Sequence, residues 1–266
     1  YKRQPSDVDT SSLTFTVSSD DDGGLFEISG TTLKLKDTVM FDKESKSSYS
    51  VKINVSDGSA TYSETFTINV SEVNDAPTLT VPSNSALTED DPTTSVSGTL
   101  SGSDPESDTL SFIAVGSTAS SGVYTVKGSY GTVTLNSSTG AYIYTIDNTL
   151  PQVQALGSSQ SLTDSFSVQL SDGTNTTAAQ SLSFTINGAN DAPTDIQLTS
   201  TSVVENSLGA TVGILSAYDV DSSSLTYTIS SDNDGGLFEI NGTTLKLKNT
   251  VMLDLSLIHI SEPTRL

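Results

Sequence analysis

The chain has 266 residues, with 32 Asp and Glu against 11 Lys and Arg for a formal net charge of −21, and it contains no Cys and no Trp. That charge excludes nucleic acid, whose binding depends on neutralising phosphates, and adsorption to an anionic bilayer. The lack of cysteine excludes disulfides and thiolate metal sites, and no apolar run of about 18 residues is present to span a membrane as a helix. Only 16% of residues are charged, so this is not a highly charged disordered chain. Thr-rich runs suit strands, Gly and Asp suit turns, and the class read from composition is all-β.

Taken in chain order, the first feature is a repeat. Residues 7–42 recur at 219–254, an offset of 212, with 29 of 36 positions identical. The match stops abruptly where Lys43 faces Leu255. Residues 255–265, LSLIHISEPTR, resemble a translated adapter of transposase-based sequencing libraries, and Tyr1-Lys2-Arg3-Gln4 resembles the transposase mosaic end read in the other direction. On this reading residues 1–4 and 255–266 are foreign, and with them Arg3, Arg265 and the sole histidine, His259. Residues 5–254 are then an internal piece of a longer reading frame.

Period-two alternation predicts strands with one buried face. Tyr49, Val51, Ile53 and Val55 alternate with Ser50, Lys52, Asn54 and Ser56, and Phe66, Ile68 and Val70 follow the same pattern. Asn74-Asp75-Ala76-Pro77 then interrupts, and its proline cannot continue a ladder. Further along, Tyr142, Tyr144 and Ile146 alternate, one helical turn is expected near Val153 to Leu156, and Phe166, Val168, Leu170 and Leu182, Phe184, Ile186 complete the series. A second Asn190-Asp191-Ala192-Pro193 closes the segment. Taking both phrases as linkers gives units 5–75, 76–191 and 192–254. Strands recurring every 8–12 residues with turns between are the signature of a sandwich. Residues 192–254 joined to 43–77 make about 98 residues, the size of one small β-sandwich, so the outer units read as two parts of one repeat type. The first lacks its opening strands and the third its closing ones.

Several phrases carry a resemblance. Val204-Glu205-Asn206, Asp219-Val220-Asp221, Phe41-Asp42-Lys43-Glu44, Val55-Ser56-Asp57-Gly58 and the two linkers resemble bacterial cadherin-like repeats. The middle unit resembles the VCBS repeat of very large bacterial surface proteins: GSYGTVTL from Gly128, GAYIY from Gly140, VQALG from Val153, LTDSF from Leu162, and Ser171-Asp172-Gly173. The resemblance implies tandem Greek-key β-sandwiches of cadherin or immunoglobulin type in an extended array, with Ca2+ at the junctions. Carried over residue by residue, it assigns Asp42, Glu44, Glu72, Asn74, Asp75, Asp104, Glu106 and Asp172 to the first junction. The second takes Glu89, Asn190, Asp191, Asp219 and Asp221. Asp7, Asp9 and Asp57 would serve a preceding junction, and Glu205 and Asp254 a following one. The middle unit departs from the pattern: it has Asp-Pro-Glu in place of Asp-x-Asp and no counterpart to the Asp-x-Glu of 42–44, so its second junction is expected to bind fewer or weaker ions.

The residue types fit that chemistry. Ca2+ takes six to eight oxygens at about 2.3–2.6 Å, from carboxylates, amide side chains and carbonyls. Asp-x-Asp at a strand end places two carboxylates on one side. The alternative is that Asp and Asn merely form turns by bonding their own backbone, an alternative that weighs most for Asp57 and Asp172. The loops Asp20-Asp21-Asp22-Gly23-Gly24 and Asp232-Asn233-Asp234-Gly235-Gly236 fail the EF-hand pattern, with Ser29 and Asn241 where its bidentate Glu belongs, and read as solvated turns.

An enzyme is not expected. Without the adapter-like end the chain has no His and no Cys, which removes His-based triads, Cys–His chemistry and His-ligated zinc. The expected role is a calcium-rigidified spacer of a large adhesin, extracellular or on the bacterial surface, whose partners are neighbouring repeats of the same chain. A cysteine-free acidic chain suits export unfolded and folding outside in millimolar calcium. The alternative is a glycan- or protein-binding sandwich module, for which Tyr124, Tyr130 or Tyr142 would have to be exposed. Homophilic adhesion of the animal cadherin kind would need a strand-swapping Trp or similar anchor.

Overall fold

The computed structural model describes residues 12–83, 85–230 and 233–254. Asp7, Asp9, Asp232 and the adapter-like ends lie outside the described residues. The chain divides into two compact units. One comprises residues up to Thr78 together with Gly102–Leu110 and Leu170–Thr177, and the other comprises Leu79–Ser101, Ser111–Gln169 and the residues from Ala178 onward.

In the first unit, strands Thr14–Val17, Ser48–Ser56 and Thr61–Asn69 form one antiparallel sheet in that order, and Phe26–Ser29 pairs with Thr32–Leu35 as a hairpin. The predicted alternation of residues 49–55 falls on the central strand, whose Val51 is fully buried. Phe41 stacks on Tyr49 at 3.8 Å between ring centroids and meets Phe26 edge-on at 5.7 Å, so the core here is thin and largely aromatic. Phe66 is 42% exposed despite its place in the alternation. The Asp20–Gly24 loop is not simply solvated: Asp22 accepts hydrogen bonds from Lys46 Nζ at 2.6 Å and Ser50 N at 2.8 Å. The Lys46 bond holds its carboxyl below the usual range. Gly23 next to it has no alternative, since a Cβ there would lie 1.8 Å from the Ser18 carbonyl oxygen.

The second unit contains a two-layer sandwich. One sheet orders Ser111–Ala114, Ser161–Ser171, Gln180–Asn187 and Ser85–Thr88, the last pair parallel, and the other orders Val123–Lys127, Gly131–Asn136, Ala141–Ile146 and Ser95–Thr99. The inward sets predicted from alternation meet: Tyr144 stacks on Phe184 at 4.2 Å, and Tyr142 and Phe166 approach Phe184 edge-on at 5.8 and 6.0 Å. Tyr142 is only 2% exposed, so it belongs to this core and cannot serve an exposed binding face. The expected helical turn spans Pro151–Gln154, with proline in its first turn, where the missing N–H costs nothing.

One acid lies inside this sandwich. Asp164, 3% exposed, accepts hydrogen bonds from Ser129 N at 3.1 Å, Tyr130 N at 3.0 Å and Tyr144 Oη at 3.1 Å. Burial and this carboxylate push the Tyr144 phenol well up. The GSYG turn is therefore pinned from inside, and its glycines are obligatory: a Cβ on Gly128 would lie 2.2 Å from Asp164 Oδ2 and one on Gly131 2.6 Å from Tyr144 Oη.

The same unit carries strands Thr194–Leu198, Thr211–Tyr218, Thr244–Leu247 and Phe238–Asn241, in that sheet order. Here the near-identical segments part company. Phe15 and Val17 pair with Val55 and Ile53. Tyr227 and Ile229, at the same repeat positions, lie in no strand and line an apolar cavity of about 420 Å3 with Ile196, Leu215, Phe238 and Ile240. Strand formation thus follows the availability of a partner rather than local sequence. In hydrogen exchange, the most protected amides of Thr14–Val17 should exchange at least about a hundredfold more slowly than those of 226–229. Equal rates would contradict the pairing difference.

Candidate metal centre

Two acidic clusters form, each beside one Asn-Asp-Ala-Pro phrase and each within a single compact unit. In the first, the turn at Asp42 is built by its carboxylate, which accepts from Ser45 N at 3.1 Å and Ser45 Oγ at 2.8 Å. This projects Glu44 toward the linker. Asn74 Nδ2 donates to Asp172 Oδ2 at 2.9 Å and to the Asp75 carbonyl at 2.8 Å, and Asn175 Nδ2 donates to the Asn74 carbonyl at 3.2 Å. Asp172 Oδ1 meanwhile accepts from Thr174 N and Asn175 N, both at 2.6 Å. The residue is thus a turn-former and a linker contact at once. Asp75 N donates to Glu106 Oε1 at 3.4 Å, and Asp104 Oδ1 accepts from Asp108 N at 3.0 Å.

Carboxylate oxygens of Glu44, Asp75 and Glu106 all lie within 4.8 Å of one another. Two oxygens bound to one Ca2+ at about 2.4 Å can be at most about 4.8 Å apart, so each pair in this set meets the outer limit for sharing an ion. Glu72 takes Lys43 as its ion-pair partner. The charges respond accordingly. Hydrogen bonds from Ser45 lower Asp42, and Lys43 lowers Glu72. For Glu44 a backbone hydrogen bond pulls down, but Glu72, burial and Asp42 together raise it.

In the second cluster, Glu89 is 1% exposed. Its backbone N–H donates to the Asn187 carbonyl at 3.0 Å, and its Oε1 accepts from Ala189 N at 3.1 Å. Asp191 N donates to Asp221 Oδ2 at 3.4 Å, and Asp219 Oδ1 accepts from Asp221 N at 3.2 Å and Ser222 N at 2.8 Å. Asn190 turns its amide onto the Asp191 carbonyl. Gly188 lets the loop after the helical turn come close, since a Cβ there would lie 2.4 Å from the Leu156 and Gly157 carbonyl oxygens. Burial raises Glu89, and burial with the charges of Asp90 and Asp221 raises Asp191. The contact between Asp219 and Asp221 splits that pair, lowering Asp219 and raising Asp221.

The remaining assigned residues lie elsewhere. Asp57 caps its own hairpin turn, accepting from Ser59 N at 2.7 Å and Ala60 N at 2.6 Å. Glu205 and Asp254 are brought near each other by the bond from Asn206 N to the Leu253 carbonyl at 2.8 Å. Asp90 had no place in the sequence assignment, yet it belongs to the second cluster, where Gln154 Nε2 donates to its Oδ1 at 3.0 Å. The available signal was Glu89-Asp90 standing where the third repeat has Glu205-Asn206.

The clusters share one further property. Among the described residues, Glu89 Oε2, Asp104 Oδ2, Glu106 Oε2, Asp191 Oδ2 and Asp221 Oδ1 are buried without a hydrogen-bond partner. Leaving one such atom unsatisfied costs about 1–3 kcal/mol, more when charged. An all-oxygen donor set with orphaned carboxylate oxygens fits a hard divalent cation.

Residues 74–188 match the model of the bacterial cadherin-like domain. A search of the curated proteins returns no match. Among solved structures, the chain is similar to protocadherin gamma B7 extracellular cadherin domains 1–4, with 19% identity and a TM-score of 0.59 over 92% of this chain and 60% of that one. It is also similar to human CDH23 EC21-23, at 16% identity and a TM-score of 0.54 over 92% and 80%. Mouse protocadherin-24 EC1-3 follows at 18% and 0.52, over 93% and 80%. The fold is therefore that of cadherin-type β-sandwiches. No helix among the described residues is long and apolar enough to cross a membrane.

Proposed function

We propose that the two clusters bind Ca2+ and that the chain is a spacer segment of adhesion-type repeats in a larger bacterial surface or secreted protein. The observation that supports this most is the set of five buried, unpartnered carboxylate oxygens, all of them beside the two linkers. Bound Ca2+ would satisfy them and neutralise like charges that otherwise repel. On this reading Glu44, Asp75, Glu106, Asp104 and Asp172 hold ions at the first linker, and Glu89, Asp191, Asp219 and Asp221 at the second. Each linker then becomes rigid, and an array of such repeats gains reach because each unit depends only on its neighbours. The middle repeat, with its GSYG turn, is of VCBS type in this proposal, and the ligand-rich ends face an extracellular, calcium-replete medium.

The test is thermal unfolding of the chain at 5 mM calcium and in chelator. A ligand at a hundred times its Kd stabilises the folded state by about 2.7 kcal/mol. For a repeat of about 100 residues that corresponds to a rise of about 10 °C or more. Superimposed melting curves would sink the proposal.

A further inference from the structure

The second cluster has a composition problem. At the first linker the turn of Asp42 delivers Glu44 to the shared oxygen set. The middle repeat has no such acidic pair. In its place stands the helical turn Pro151–Gln154, and Gln154 at its end donates to Asp90. We propose that Asp90 is a cation ligand of the second cluster, filling there the part that Glu44 fills in the first, with Gln154 as its positioning residue. This rests on the calcium reading above and names the residue that completes one of its sites.

Backbone geometry explains the turn but not the charge. Asp90 has φ 57°, in the left-handed region, directly after the buried Glu89. Asn206, directly after Glu205 in the third repeat, has φ 61°. Asn and Asp both tolerate this conformation because their short side chains bond locally. The turn therefore needs a residue of this kind and has no use for a negative charge. Yet the middle repeat places a carboxylate here, directly after the buried Glu89. Among the described residues no ion pair links Glu89, Asp90, Asp191, Asp219 or Asp221 to a lysine. Gln154, being neutral, orients Asp90 without cancelling its charge.

The independent sign of a ligand is Glu89. It is 1% exposed, and its Oε2 has no partner, as is true of Asp191 Oδ2 and Asp221 Oδ1. Four carboxylates gathered around buried, unsatisfied oxygens must take up protons or hold a cation among them, and an all-oxygen donor set suits the cation. Asp90 is exposed and closes this set from the solvent side.

The test titrates the full, metal-free chain with Ca2+ by calorimetry, comparing wild type with Asp90→Asn, Gln154→Ala and Asp219→Asn. Asp90→Asn installs the residue that the third repeat uses at this place, so the turn is retained. The expected result is about tenfold or more weaker binding at one class of site, because calcium affinity follows ligand charge. The other class should be unchanged, and the melting temperature in chelator should be equal or higher. Gln154→Ala should weaken the same class by a smaller factor. If Asp219→Asn weakens that class while Asp90→Asn leaves every constant intact, the Asp90 assignment is overturned and the calcium reading stands. If wild type binds no Ca2+, both fall together.

Discussion

Replacing Asp164 by alanine is expected to destabilise the middle sandwich by about 3 kcal/mol, a fall in melting temperature of roughly 12–20 °C. The side chain accepts from two part-buried backbone N–H groups and one buried phenol. Each donor left without a partner costs about 1–3 kcal/mol, and three at full cost would exceed the figure given. The reduction comes from water, because a cavity of about 410 Å3 lined by Asp164, Gly128, Ser129 and Phe166 offers room for it. Asp164→Asn keeps an acceptor and should cost about half as much. Near-ultraviolet circular dichroism of the tyrosines, followed through thermal unfolding in calcium, reads the effect. A shift under about 3 °C for the alanine variant would show that the GSYG turn does not depend on this pin.

The second large effect concerns the calcium-dependent rise in melting temperature. Asp219→Ala combined with Asp221→Ala should remove the part of it that belongs to the second cluster. Asp219 and Asp221 stand two residues apart just beyond strand Thr211–Tyr218, and Asp221 contributes one of the orphaned oxygens. With both gone, Glu89, Asp90 and Asp191 are left to supply a coordination shell that takes six or more oxygens. In chelator the same variant should melt no lower than wild type, because the substitutions also remove charge repelling Asp191. This difference in sign separates ligand loss from damage to the fold. A double variant that melts lower in both media by the same amount would mark these residues as turn-formers.

Much of the sandwich was legible because strand periodicity is local. Tyr142, Tyr144, Phe166 and Phe184 declare their inward face two residues at a time, and they meet in the core as read. The two acidic clusters were traceable in sequence because their Asp, Asn and Glu residues stand in a fixed order along the chain. Four things were not. Asp164 shares the inward face of Phe166 and Val168, and alternation alone does not reveal that a distant turn supplies its donors. Asp22 was read as solvated because its partners, Lys46 and Ser50, lie more than twenty residues away. The repeat itself does not reveal that 226–229 lies in no strand while 14–17 does, because a strand needs a partner and near-identical sequence does not supply one. The place of Asp90 in the second cluster was missed for a related reason: a residue beside a buried glutamate reads as part of the turn until the helical turn carrying Gln154 is placed against it.

The most direct measurement is equilibrium dialysis of the metal-free chain against radioactive calcium at increasing concentration. The account predicts saturable binding in two classes, one for each cluster, complete at or below the millimolar calcium of extracellular modules. Binding that rises without saturation, or none above the buffer background, would contradict it and leave the clustered carboxylates as turn-formers and solubilising charge.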